Sequence, residues 1–189
     1  NTYPPARDMG YTLVPLSTLN DGKLRRGFPR LPFVPDKPEL RDTRCRNILN
    51  MQAHGLAARM KHVGRNKLVI GVSGGLDSTL ALLVCAGAMR LLGKSNSDIL
   101  AFTMPCFGTT KRTRGNAEIL SQAMGVTFEC IDISASVTQH MKDIGLPEGD
   151  RSVAFENAQA RERTQILMDI ANKEGGLVVG TGDLSELAL

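Results

Sequence analysis

The chain has 189 residues, the size of one compact domain with room for an arm. A hydrophobic share of 42% and a charged share of 22% exclude a wholly disordered chain, and no apolar run reaches the ~18 residues that would cross a bilayer. Lys and Arg number 23 against 19 Asp and Glu, a formal charge of +4. That excess is too slight to point to nucleic acid and suits a polyanionic small molecule equally well.

Residues 1–35 hold six of the nine prolines (Pro4, Pro5, Pro15, Pro29, Pro32, Pro35). Proline fixes φ and removes a backbone donor, so this stretch is expected to be an extended arm or linker. Its opening lacks the basic start and apolar stretch of a signal peptide. Cys45, Cys85, Cys106 and Cys130 form no Cys-x-x-Cys motif. Cys85 and Cys130 read as small core hydrophobes, and the usage fits a reducing, cytoplasmic setting. His54, His62 and His140 are scattered and take no role.

From Asp36 the pattern turns helical, with Pro38 and Glu39 suited to a helix start. Ile48, Leu49, Met51, Gln52, Leu56 and Met60 form an apolar stripe that Gly64 stops. Lys67–Val72 reads as a buried strand. Thr79–Leu92 is apolar nearly all round, which predicts a helix sandwiched in the interior. Ile99–Met104 is a second strand, Lys111–Met124 a helix, Val126–Ile133 a third strand and Ser134–Ile144 a helix. A polar loop leads to a long helix, Ser152–Lys173, with Phe155, Ala158, Ile166, Leu167, Ile170 and Ala171 on its buried side. Leu177–Val179 is a fourth strand, Thr181–Glu186 a turn, and Leu187–Leu189 the start of another helix. Strands alternating with helices predict an α/β fold, a doubly wound parallel sheet with helices on both faces. Ligands bind such sheets at the strands' carboxyl ends.

The loop after the first strand reads Gly71-Val72-Ser73-Gly74-Gly75-Leu76-Asp77-Ser78. Adjacent glycines let successive amides point into one concavity, the following helix adds positive charge at its N-terminus, and two serines add hydroxyls. The product is an anion hole sized for phosphate or pyrophosphate. A Walker loop would carry lysine where Asp77 stands, and Gly71, Gly74 and Gly75 do not fit the dinucleotide fingerprint. A carboxylate in a phosphate cradle repels the ligand unless a cation intervenes, so Asp77 predicts Mg²⁺. A bare glycine turn between strand and helix is the plainer alternative.

This string resembles the pyrophosphatase loop of the ATP-pyrophosphatase families, whose fold is Rossmann-like (adenine nucleotide alpha hydrolase-like). They split ATP between its α and β phosphates to activate a substrate as an adenylate. Phe155-Glu-Asn-Ala-Gln-Ala-Arg-Glu-Arg163, Gly180-Thr-Gly-Asp-Leu-Ser-Glu186, Met104-Pro105 and Phe107-Gly-Thr-Thr110 resemble motifs of the NAD synthetases. The likeness runs from about residue 36 to 189 and is greatest to the synthetase domain of the glutamine-dependent, two-domain form. Residues 1–35 then resemble the stretch joining its amidase and synthetase domains. The amidase domain, and family elements that follow the synthetase motifs, are expected outside this sequence.

The resemblance implies ATP-dependent amidation of deamido-NAD to NAD, with ammonia from glutamine. Gly71 to Ser78 and Thr181 would bind ATP, and Asp77 and Glu186 would serve catalysis as magnesium ligands. Asn157, Arg161 and Glu186 would contact deamido-NAD. Asn157 and Arg161 are spaced i, i+4 and so share a helix face, and Arg161 offers a planar fork to phosphate or carboxylate. Without the motif, that face reads as solvated and Glu186 as a generic helix-start carboxylate. A homodimer is expected, with no membrane or nucleic-acid partner. Two features depart from the pattern. Cys106 stands after the second strand, facing the site, where a small residue is expected. Lys111, Arg112 and Arg114 put cations at a helix start, where the dipole disfavours them. A tRNA-thiolating ATP pyrophosphatase and a non-catalytic nucleotide-binding module remain the alternative functions.

Overall fold

The structure, a computed structural model, describes residues 26, 27, 31, 34–107 and 111–182, without the side chains of 111–114. Most of the expected arm, Gly108–Thr110, the side chains of Lys111, Arg112 and Arg114, and the stretch from Asp183 with Glu186 and the last expected helix lie outside the described residues.

In chain order the elements are α1 (Pro38–Val63), β1 (Lys67–Gly71), α2 (Leu76–Leu91), β2 (Ile99–Thr103), α3 (Lys111–Met124), β3 (Thr127–Cys130), α4 (Ser134–Asp143), α5 (Val153–Glu174) and β4 (Gly176–Val179), with a 3₁₀ turn over Asn96–Asp98. The four strands form one parallel sheet in the order β3-β2-β1-β4. Leu68 pairs with Ile99 and with Leu177, and Leu100 with Thr127.

Alternation along the strands sorts their side chains onto two faces. Leu68, Ile70, Ile99 and Ala101 point to one side and pack with Met60 of α1, Leu82, Cys85 and Met89 of α2 and Ala117 of α3. Val69 and Phe102 point to the other and pack with Val137 of α4 and Ala158 and Ala171 of α5. Helices therefore cover both faces, as the doubly wound pattern predicts. The change of face follows from topology. Right-handed crossovers from β1 to β2 and β3 keep helices on one side, and the return to β4 beyond β1 reverses direction and places α4 and α5 on the other.

Two faces differ from expectation. The buried side of α1 is Ala53, Ala57 and Met60, with Leu49 and Leu56 partly covered. Ile48 and Met51 stand 44% and 72% exposed, and Gln52 is exposed too. The cause is a small-residue contact: a Cβ on Gly87 of α2 would stand 3.0 Å from the Ala53 Cβ, so α1 presses its alanines, not its larger side chains, onto α2. Helix α2 is likewise not interior all round, since Leu76, Leu80, Leu83 and Leu91 are exposed. They share the Gly87 face, which α1 covers only around that glycine. Cys85 is a core residue as expected, and burial pushes its thiol up to about 12. Cys130 is only partly buried, because β3 is the sheet's edge strand.

Candidate functional site

The strand order places a switch point between β1 and β4. The chain leaves β1 toward β2 and β3, then returns to add β4 on the opposite side. In open sheets of this kind, ligands bind outside the carboxyl ends at such a switch point. The glycine-rich loop leaves β1 there, and Thr181 follows β4. Ile70 pairs with Val179, and Thr181 stands two residues past that last pair, beyond the end of β4. Thr181 is half-buried.

The loop is braced from within. The Val72 amide donates to the Phe102 carbonyl at 2.8 Å, the last rung joining β1 to the β2 side. Ser78 is 3% exposed. Its hydroxyl accepts from the Ser73 amide at 3.3 Å and donates to the Gly75 carbonyl at 3.1 Å. The Ser73 hydroxyl accepts from the Gly75 amide at 3.2 Å and lies 3.2 Å from the Ser78 hydroxyl. Gly74 makes the reversal possible at φ 82, a left-handed conformation that costs any residue with a Cβ.

This geometry corrects the expected use of the serines. Ser78, buried and bonded to the Gly75 carbonyl, the Ser73 amide and the Ser73 hydroxyl, shapes the loop, whereas the Ser73 side chain is the exposed one of the two. The amides supply the remainder. Gly75 is the N-cap of α2 and no side chain caps that helix. The amides of Leu76, Asp77 and Ser78 thus open the helix with no intrahelical acceptor and with the positive end of its dipole behind them.

Asp77 is exposed in this first turn. A hard carboxylate oxygen beside an oxyanion nest suits a hard divalent cation. No cluster of three or more His, Cys, Asp or Glu with metal-binding geometry occurs among the described residues. Glu186, the expected second carboxylate, lies outside them. Leu76 projects its side chain outward, 86% exposed. Gly71 is closely approached by α5 and the β2 exit: a Cβ there would stand 3.2 Å from Leu167 Cδ1 and 3.5 Å from Met104 Cε.

That contact also sets the height of α5. Leu167 lies level with the carboxyl end of β1, so the part of α5 that precedes it overhangs the sheet edge. At 1.5 Å per residue, Arg161 stands about 9 Å and Asn157 about 15 Å beyond Leu167 along the helix. Both are exposed, on a side of α5 that makes no packing contact with the sheet. Gly71 to Ser78 thus follow β1 and Thr181 follows β4 at the same end of the sheet, with Asn157 and Arg161 exposed on the part of α5 that precedes Leu167.

Cys106 was expected to face the site. It is 8% exposed and packs in the apolar cluster with Ile133, Val137 and Ala158. Arg163, which the sequence offers only as part of a charged helix face, has a defined partner: its Nε donates to the Met104 carbonyl at 3.2 Å. No local pattern signals a contact between positions so far apart in the chain.

A model of the NAD synthase family matches residues 48–189. The glutamine-dependent NAD(+) synthetase of Mycobacterium leprae is 50% identical over 170 residues, covering 88% of this chain and 25% of that protein. Its counterpart in Mycobacterium tuberculosis is 46% identical over 98% of this chain and 26% of its own length. The chain thus spans about a quarter of the length of these relatives. Among solved structures, the glutamine-dependent NAD+ synthetase of Acinetobacter baumannii in complex with adenosine diphosphate aligns with TM-score 0.67 and 29% identity, over 74% of this chain and 26% of that one. The NH3-dependent NAD synthetase of Campylobacter jejuni aligns with TM-score 0.65 and 25% identity, over 75% and 58%.

Proposed function

The chain belongs to the NAD synthase family, and on that premise we propose that it amidates deamido-NAD at the expense of ATP, yielding NAD, AMP and pyrophosphate. The observation that carries this reading is the braced loop at the β1–β4 switch point: uncapped first-turn amides, an exposed serine and an exposed carboxylate stand together at the start of α2.

The deamido-NAD carboxylate attacks the α-phosphorus of ATP, pyrophosphate leaves, and ammonia displaces AMP from the resulting adenylate. The chain's own part is binding and electrostatics. The loop amides and the α2 N-terminus hold the β and γ phosphates and stabilise the charge that grows as pyrophosphate departs. Ser73 adds a hydrogen bond, Ser78 keeps the loop in shape, and Thr181 contacts ATP. Asn157 and Arg161 bind the dinucleotide and hold its carboxylate in line for attack. Asp77, with Glu186, would hold Mg²⁺, whose charge offsets that of the phosphates. No covalent nucleophile is needed, and Cys106, buried in the core, is not one. Ammonia comes from glutamine through an amidase domain of the full-length protein, which works in the cytoplasm as a homodimer or higher oligomer.

The test is to measure AMP and pyrophosphate release by the full-length protein with ATP, Mg²⁺ and ammonium, with and without deamido-NAD. Release that depends on deamido-NAD is the expected result. ATP that binds and is never split at the α-phosphate would leave a nucleotide-binding module. Turnover that requires tRNA and is abolished by Cys106→Ala would leave a thiolating enzyme.

A further inference from the structure

The half of α5 that precedes Leu167 packs through Ala158 into the cluster shared with α4, and it is tied a second time at the β2 exit. Four consecutive residues leaving β2 are each tied to another element. The Met104 carbonyl accepts from Arg163 Nε at 3.2 Å, and the Pro105 carbonyl from the Ile133 amide at 3.2 Å. Cys106 is buried in the α4–α5 core. The Phe107 ring sits 5.8 Å from that of Phe155 in a tilted pair. Arg151 completes this second anchor, its guanidinium carbon 4.4 Å from the centre of the Phe155 ring.

The two anchors flank the residues assigned to the dinucleotide. Phe155 and Arg163 bracket Asn157 and Arg161 in sequence. At 100° per residue, the mean direction of the anchoring pair lies about 180° from that of Asn157 and Arg161. The helix is held on one side and presents its free polar groups on the other.

We propose that Arg163 and the Arg151–Phe155–Phe107 stack are positioning residues that suspend the overhanging half of α5 from the β2 exit and so fix Asn157 and Arg161 relative to the phosphate loop. The same β2 exit packs on that loop's first residue, through Met104 Cε against Gly71. One short segment thus sets the distance between the two halves of the site. The inference rests on the reading of Asn157 and Arg161 as dinucleotide contacts. Its signature is a loss confined to deamido-NAD, because misplacing a substrate group by about 1 Å costs up to a hundredfold while the self-braced ATP loop is untouched.

The test uses the full-length protein with Arg163→Ala, Arg163→Lys, Phe107→Ala, Phe155→Leu and Phe155→Tyr. Arg163→Ala, Phe107→Ala and Phe155→Leu should raise the KM for deamido-NAD by about tenfold or more and leave the KM for ATP unchanged. Phe155→Tyr, which keeps the ring, should match the parent, and Arg163→Lys, which keeps a donor, should recover part of the loss. Hydrogen exchange on the same variants should show faster exchange over residues 153–162 and unchanged exchange in β1. Phe107 is 43% exposed, so its alanine variant folds and keeps the test decisive if Arg163→Ala does not. KM values for both substrates rising together, or unchanged exchange over 153–162, would overturn the proposal. If the parent protein releases no AMP with deamido-NAD, the amidation reading fails instead, and exchange alone then decides whether the anchors hold the helix.

Discussion

The phosphate loop and the overhanging half of α5 are held in place in opposite ways. Past the Val72–Phe102 rung that ties its base to β2, the loop is braced by hydrogen bonds that span no more than five residues, from Ser73 to Ser78. Helix α5 is held by contacts that reach across the chain, Arg163 to Met104 over 59 positions and Phe155 to Phe107. A locally braced site keeps its shape wherever its strand and helix form. A suspended site keeps its shape only while a second, distant segment holds it. In the proposed reaction this division assigns phosphate chemistry to the rigid half and substrate choice to the adjustable half.

Asp77→Asn should have the largest effect and strike the loop half alone. The side chain is exposed, so the thermal midpoint should stay within about 2 °C. Pyrophosphate release should fall by about a hundredfold or more, the scale lost when the cation that Asp77 would hold no longer opposes transition-state charge. Activity close to the parent's would remove Asp77 from the chemistry and leave the loop a plain turn.

Gly74→Ala probes the backbone of the same half. At φ 82 a Cβ adds about 1–2 kcal/mol of strain, part of which the loop relieves by opening. Calorimetry should show ATP affinity reduced by about tenfold, with exchange over the start of α5 unchanged. Faster exchange in α5 would mean that the two halves are not independent.

Gly87→Ala tests whether a fold defect can imitate either effect. The added Cβ would meet Ala53 at 3.0 Å and push α1 from α2. The strain of about 1–3 kcal/mol is partly offset by the roughly 1 kcal/mol that Ala gains over Gly in a helix. A slightly lower melting temperature is expected, with both KM values unmoved.

The same contrast explains what the sequence discloses. The loop is legible because its chemistry is local: glycines, serines and a carboxylate in fixed order between a strand and a helix. The sheet is legible because its strands are short apolar runs broken by Gly and Pro, and the observed boundaries lie within a few residues of those expected. The phase of α1 was not legible, because pattern reading favours large apolar residues whereas Gly87 and Ala53 made small ones the contact. Nor was the single-sided cover of α2, since a helix apolar all round looks the same whether one or both faces find partners. The bracing bonds of Ser78 and the anchors of α5 escaped for one reason: each depends on where a side chain arrives in space, and spacing along the chain carries no record of that.

The smallest expected effect concerns how α5 begins. Asp150 accepts from the Ser152 amide at 2.6 Å, just before the first turn. The Ser152 hydroxyl and amide, with the nearby Arg151 charge, hold its carboxyl below the ordinary value of 3.8. A lowered folded-state pKa means that the ionised form favours the folded start. Its contribution is complete above the ordinary carboxylate range and is lost as pH falls through the folded value. As pH falls from about 5 through the folded value, exchange over the first turn of α5 should therefore quicken, while the phosphate loop, braced by hydroxyls and amides, shows no matching change. Asp150→Asn keeps an acceptor oxygen for the Ser152 amide without the titration, so its exchange there should be nearly independent of pH. The Lys67–Glu174 bridge (2.7 Å) at the opposite end of α5 follows the same sign, since the lysine's hydrogen bond and charge lower the Glu174 pKa. Lys67→Met separates the two ends: if the acid response of the first turn disappears with that substitution, it originates at Glu174 and α5 loosens as one body. If the response persists, the suspended end opens by itself.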